Sequence, residues 1–315
     1  MPTMFKRLLP LLPAVLFLAS MRADDLYVGD FSSGNGSVNY FDATTGAFIL
    51  KAAAPGNSMS LPGQMAIGPN GNLYVADGAG VIDVFNSTTG AFLNQFGSGT
   101  LSAPSGLAFS SSGNLYVSDS TGGNGFIDEF DAAGDFLGQT IAPGGALEFP
   151  NALTFGPDGN LYIADENSGN IYQYNLTTMA LSVFASDSSA NVNLVFGPNG
   201  ELYVMSALNS GTVEVFNGTT GAFIGAFGNT GTALGADALG MAFGADGNMY
   251  VADSNGVDVV NGTTGNVTGN FIGVDGVNVV NPTFLTFQLA VPEPSTFLLG
   301  ALGLIALASG RRRPQ

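Results

Sequence analysis

N-L-Y-V-A-D, residues 72–77, decides the fold, because the chain writes the same segment again and again. D-L-Y-V-G-D (25–30), N-L-Y-V-S-D (114–119), N-L-Y-I-A-D (160–165), E-L-Y-V-M-S (201–206) and N-M-Y-V-A-D (248–253) are its other copies. The tyrosines Tyr27, Tyr74, Tyr116, Tyr162, Tyr203 and Tyr250 stand 47, 42, 46, 41 and 47 residues apart. A period of about 45 residues, with strand-forming side chains and Gly-rich turns, marks the blade of a β-propeller. Within the segment Leu and Val point one way and Tyr and Ala the other, as in a strand buried on both faces.

Working outward, each full repeat divides into four strands, A to D. Strand A is the apolar run M-A-I (65–67), L-A-F (107–109), L-T-F (153–155), L-V-F (194–196) or M-A-F (241–243). A turn such as G-P-N-G or G-P-D-G follows, whose last glycine supplies a positive φ. Strand B is the tyrosine segment. Strand C reads V-I-D-V-F (81–85), F-I-D-E-F (126–130), I-Y-Q-Y (171–174), V-E-V-F (213–216) and V-D-V-V (257–260). It joins strand D through N-S-T-T-G-A-F (86–92), N-G-T-T-G-A-F (217–223) and their relatives. No segment reads as a long helix, so the chain is all-β.

The first repeat starts at strand B and lacks strand A. The missing piece lies at the other end, where N-P-T-F-L-T-F (281–287) matches F-P-N-A-L-T-F (149–155) and has no strand B after it. The C-terminal strand is therefore expected to complete the N-terminal blade and close a six-bladed ring of four-stranded antiparallel sheets, which also covers an open sheet edge. The repeats resemble the NHL-type group of six-bladed propellers, including the SMP-30/gluconolactonase-like proteins. The resemblance spans residues 24–289 and implies a fold, not an activity.

Both ends of the chain read as addresses. Lys6 and Arg7 precede an apolar run, Leu8 to Ala19, and small residues lead to Ala23, so residues 1–23 are expected to be a secretory signal peptide. At the other end come Val291, Pro292, Glu293, Pro294 and Ser295, then an apolar stretch, then Arg311, Arg312 and Arg313. The apolar stretch is expected to enter a bilayer as a short transmembrane segment, with the arginines holding its end on the cytoplasmic side. Residues 291–315 resemble the PEP-CTERM sorting signal. That resemblance implies transient residence in the inner membrane, cutting by an exosortase, and release to the cell surface or an exopolysaccharide (biofilm) matrix. A domain over 24–290 remains, and of the seven basic residues it keeps only Lys51. So acidic a body is repelled by nucleic acid and by anionic lipid.

Composition narrows the chemistry further. There is no cysteine, hence no disulfide framework, and no histidine, which removes His-based hydrolases and His-ligated metals. A non-enzymatic binding or structural role, with a protein or polysaccharide of the matrix as partner, follows from that shortage. The alternative is a calcium-dependent hydrolase or lactonase of the gluconolactonase-like type. Residues just before strand A should line the channel mouth: Gln64, Ser105, Asn151, Asn193, Leu239 and Thr283. The resemblance to gluconolactonases implies a metal-holding Asn, and Asn151 stands where it would sit, with Glu148 nearby in sequence. Glu129, Glu148, Glu166, Glu201 and Glu214 are glycosidase candidates by residue type alone. Asp30, Asp77, Asp119, Asp165 and Asp253 end strand B in five repeats, where a carboxylate is suited to accept N–H bonds in the B–C turn. Two of those turns, Asp165 with Asn167 and Asp253 with Asn255, resemble fragments of Ca2+ loops without the full ligand spacing. The Asn-x-Ser/Thr sites at Asn35, Asn86, Asn175, Asn217, Asn261 and Asn266 are read as turn chemistry.

Overall fold

The protein is described by a computed structural model covering residues 25–32, 35–52, 59–141, 145–186, 191–206, 211–228, 234–235 and 237–288. The expected signal peptide and the sorting tail, including Val291 to Ser295 and Arg311 to Arg313, lie outside the described residues. Six four-stranded sheets stand in a ring. Blade 1 holds β1 (Asp25–Ser32), β2 (Asn35–Asp42) and β3 (Phe48–Ala52), and blade 2 holds β4 (Pro62–Ile67), β5 (Leu73–Asp77), β6 (Val81–Phe85) and β7 (Phe92–Phe96). Blade 3 holds β8 (Leu107–Phe109), β9 (Leu115–Thr121), β10 (Asn124–Phe130) and β11 (Phe136–Ile141). Blade 4 holds β12 (Pro150–Phe155), β13 (Leu161–Asp165), β14 (Asn170–Asn175) and β15 (Ala180–Ser186). Blade 5 holds β16 (Asn191–Phe196), β17 (Leu202–Ser206), β18 (Thr212–Phe216) and β19 (Phe223–Ala226). Blade 6 holds β20 (Gly240–Phe243), β21 (Met249–Asp253), β22 (Gly256–Val260) and β23 (Val267–Gly273).

The last strand, β24 (Pro282–Phe287), pairs antiparallel with β1 and supplies the inner strand that blade 1 lacks. Leu26 meets Phe287, Tyr27 meets Thr286 and Val28 meets Leu285. The ring closes as the repeats imply.

The core lies between the blades, not within one layer. Leu73 and Val75 of β5 pack toward blade 1 with Tyr27, Val38 and Met59, whereas Tyr74 and Ala76 pack toward blade 3 with Leu107 and Val117. The tyrosine of each strand B also meets the phenylalanine ending strand A of the next blade. Tyr74–Phe109, Tyr116–Phe155, Tyr162–Phe196, Tyr203–Phe243 and Tyr250–Phe287 pack edge to face, with ring centroids 4.9, 5.6, 4.9, 5.0 and 5.0 Å apart. Such pairs add about 0.5–1.5 kcal/mol each beyond area burial. The series breaks once, between blades 1 and 2. There strand A ends in Ile67 and Tyr27 packs on Tyr40 instead, 4.5 Å away.

Turn chemistry accounts for four of the six Asn-x-Ser/Thr motifs. Asn86 Oδ1 accepts the N–H groups of Thr88 and Thr89 at 3.1 and 2.8 Å and the Thr89 hydroxyl at 2.9 Å. Asn175, Asn217 and Asn261 likewise accept the backbone N–H groups two and three residues on. The aspartates ending strand B do more than the B–C turn requires. Asp77 Oδ1 accepts Ala79 N–H in that turn at 3.1 Å, and also Ser60 and Leu61 N–H at 2.8 and 3.2 Å. Those last two belong to the segment leading into strand A, so the carboxylate ties the inner strand of its blade to the second.

Candidate functional site

Strand A lines the channel, and the spacing between inner strands sets what the channel can hold. Gly106 and Gly240 stand one residue before the first apolar residue of strand A, and Gly63 stands two before it. A Cβ at these positions would come within 2.5 Å of Ser105 O, 2.9 Å of Asn151 O and 2.6 Å of Thr283 O in the neighbouring blade. Without side chains there, the next inner strand approaches backbone to backbone. Ser105, Asn151 and Thr283 are thereby brought to the rim.

The six residues expected at the mouth separate into two groups. Ser105, Asn151, Leu239 and Thr283 line a cavity of about 370 Å3 at the channel mouth, together with Leu61, Pro62, Pro104, Phe149 and Phe284. Gln64 and Asn193 line a second cavity of about 500 Å3 further along the channel, walled by the apolar ends of strand A. Gln64 is not offered to the mouth at all. Its Oε1 accepts Leu107 N–H at 3.0 Å and Leu153 N–H at 2.9 Å, and its Nε2 donates to Leu153 O at 2.9 Å. One side chain thus staples blade 2 to blades 3 and 4 across the channel. Asn193 is buried and its Nδ2 donates to Leu239 O at 3.2 Å.

At the mouth itself a polar line crosses an apolar wall. The Ser105 hydroxyl donates to Asn151 Oδ1 at 2.5 Å, and Asn151 Nδ2 donates to Glu166 Oε2 at 2.8 Å. Thr283 is buried, and its hydroxyl is spent on Pro62 O at 2.9 Å. Among the described residues, what stays free is one N–H of Asn151 and lone pairs on Ser105 Oγ and Glu166 Oε1, all on half-buried residues. Phe149 stands beside them, 37 % exposed. The carboxylate that joins Asn151 is Glu166 and not Glu148, whose side chain is exposed and whose N–H bonds Asp165. Sequence position misleads here because a β-bulge between Pro150 and Ala152 sits at Asn151, while Glu166 follows directly after strand B. Of the other glutamates, Glu129 is held by Asn114, Tyr116 and Thr140, and Glu201 accepts Gly218 N–H. Both sit outside the channel lining.

The two calcium-like turns are built around backbone donors. Asp165 accepts N–H bonds from Glu148, Phe149 and Ser168 at 2.7, 3.2 and 3.0 Å. Asp253 accepts them from Gly235 and Asn255 at 2.6 and 2.7 Å. The side chains of Asn167 and Asn255 are exposed. Among the described residues no group of three or more Asp or Glu is placed to hold a metal ion.

Comparison with known proteins adds one motif and one fold. The PEP-CTERM protein-sorting motif matches residues 290–313. It implies export, a membrane-held C-terminal sorting signal and processing by an exosortase. No curated protein matches the chain. Among solved structures, a chain of a nidogen/laminin complex is 16% identical, with a TM-score of 0.68 over 85% of this chain and 99% of that one. A catalytically inactive virginiamycin B lyase from Staphylococcus aureus is 14% identical, with a TM-score of 0.59 over 86% and 94%. A Bacteroides fragilis protein proposed to be a 6-phosphogluconolactonase is 16% identical, with a TM-score of 0.57 over 84% and 98%. At these identities the likeness is one of fold. The chain is a six-bladed β-propeller that carries a PEP-CTERM protein-sorting motif at its C-terminus.

Proposed function

We propose that the mature propeller is a non-enzymatic component of the cell surface or extracellular matrix that binds neutral polysaccharide at its channel mouth. The observation that carries this reading is that Ser105, Asn151 and Phe149 line the 370 Å3 cavity, with Asn151 bonded from behind to Glu166. Sugar hydroxyls both donate and accept, which matches an amide N–H flanked by hydroxyl and carboxylate lone pairs. Phe149 offers an apolar face for a pyranose ring. The formal net charge of −17 disfavours acidic polysaccharides. The sorting motif supports the location, and a signal peptide at residues 1–23 would start the route.

The hydrolase or lactonase alternative would draw on Asn151 and Glu166 with calcium, and predicts one saturable calcium site in a calorimetric titration. For the favoured reading, the full-length protein is tested on arrays of neutral and acidic glycans. Wild type should be retained on a neutral glycan, and Asn151→Ala should weaken retention about tenfold, the worth of one or two lost hydrogen bonds. Equal retention of wild type and variant, or none on any neutral glycan, would sink it.

A further inference from the structure

Strand C carries acids where an interior strand ordinarily has none. Asp83 lies on the face of β6 shared by Val81 and Phe85, opposite Val75 of β5. Asp128 takes the same place in β10, opposite Val117 of β9. Asn39, Tyr172, Glu214 and Asp258 fill that register in the other blades. Asp83 and Asp128 are both 0% exposed; among the described residues neither carboxyl oxygen of Asp83 meets a donor, and Asp128 has only the Gln139 amide near it, outside good hydrogen-bond geometry.

Each of the two faces the aspartate that ends strand B of its own blade. Asp77 and Asp119 are well supplied with donors: Asp77 takes Ser60, Leu61 and Ala79, and Asp119 takes Ser102, Ala103 and Ser120. The remaining surroundings are neutral. On the outer side β7 sets Gln95 opposite Asp83, and β11 sets Gln139 opposite Asp128. The neighbouring blade packs Val38, Ala52, Met59, Tyr27 and Tyr40 toward the first pair, and Tyr74, Ala76, Ile82 and Val84 toward the second. Burial raises Tyr27 and Tyr40, so neither phenol supplies charge at neutral pH. Lys51, the one base among the described residues, is exposed on β3.

Two adjacent carboxylates buried without a cation are relieved most simply when one keeps its proton and donates it to the other. We propose that each pair binds one proton, Asp83 donating to Asp77 and Asp128 to Asp119, so that blades 2 and 3 form a proton-locked sector that loosens as the pH rises to neutral. Burial first, then Asp77 opposite, pushes Asp83 up to about 7. Burial first, then Asp119, pushes Asp128 up to about 6, with the Gln139 amide offsetting part of the rise. The sign follows from linkage. Above about pH 4 an unfolded aspartate has lost the proton that the folded one keeps. The stabilisation is therefore complete below that pH and is lost as pH rises through about 6 for Asp128 and about 7 for Asp83. Within the window each pair changes the unfolding constant by up to about tenfold per pH unit.

The test is unfolding of the full chain between pH 5 and 9, wild type against the double variant Asp83→Asn, Asp128→Asn. Asn keeps a donor where the protonated acid had one and cannot titrate. The readout is the difference in slope. Between pH 5 and 6, where both pairs titrate, the wild-type unfolding constant should rise with pH by up to about a hundredfold more per unit than the variant's. Between pH 6 and 7, where Asp83 alone still titrates, the excess should be up to about tenfold. Above pH 8 the variant should be the more stable protein. Equal slopes would overturn the proposal. If the variant does not fold, infrared spectra of wild type decide: a protonated-carboxyl band at pH 5 that disappears by pH 9 supports it, and no such band at pH 5 overturns it. Calcium that restores acid-like stability at pH 9, removed again by chelator, would also overturn it, because a metal and not a proton would then fill the pairs.

Discussion

Gln64 shows how much one side chain can hold in a channel otherwise lined by weakly polar or apolar groups. Inner strands expose backbone N–H and C=O groups toward the axis, and each must find a partner. Gln64 satisfies two such N–H groups and one carbonyl on blades 3 and 4, reaching a residue 89 positions away. Truncation therefore removes three bonds and leaves their backbone partners facing the axis. Gln64→Ala should cost about 2–3 kcal/mol, read as a lower denaturant midpoint with an unchanged slope. A loss below about 0.5 kcal/mol would mean water replaces the amide without penalty. Because Gln64 lines the deeper cavity and not the mouth, the same variant should bind glycan at the mouth as wild type does.

At the level of the strand and turn, the C–D hairpin carries the repeat's own control experiment. Four of its copies end in a glycine with positive φ: Gly46, Gly90, Gly221 and Gly265, at 69, 67, 71 and 69°. In blade 4 the copy reads N-L-T-T-M, and Met179 adopts φ 56° in the glycine's place. A Cβ in the left-handed region is strained by about 1–2 kcal/mol. Met179 is 77% exposed, so its side chain contributes little packing in return. Met179→Gly should therefore stabilise the protein by about 1 kcal/mol, against the usual direction of a mutation to glycine. A measured destabilisation in thermal unfolding would show that the turn has other reasons for its methionine. The Asn-x-Thr spacing makes this turn readable from the amino-acid order alone, and so is the replacement of Gly by Met within an otherwise constant motif. The repeat does not reveal the burial of the strand C acids. Asp83 is legible only through its parity with Val81 and Phe85, and an alternating strand is equally compatible with a solvated face.

At the scale of the ring, what is legible in the chain and what is not divides by range. Strand order, blade number and closure depend on patterns that recur along the chain, and the tyrosine period carries them. The mouth depends on contacts between single residues of different blades, such as Ser105 with Asn151, or on a bulge that turns Asn151 toward Glu166, and no period encodes these. Closure has its own consequence for processing. The seam is fastened by β24 on β1, by Asp30 accepting Val280 and Asn281 N–H at 2.6 and 3.2 Å, and by Gln288 N–H on Asp25 O at 2.9 Å. Among the described residues its last bond is made at Gln288, whereas the sorting motif begins at residue 290. Removing the tail should therefore leave the ring whole. A chain ending at Gln288 should unfold in one transition at the same midpoint as one that keeps residues up to Ser295. A chain ending at Asn281 loses the buried Phe284 and Leu285 and leaves the edge of β1 unpaired. At about 1.5–3 kcal/mol for each buried side chain, it should lose at least about 3 kcal/mol and its single transition with it. If the two truncations unfold alike, the seam is not what holds the propeller closed.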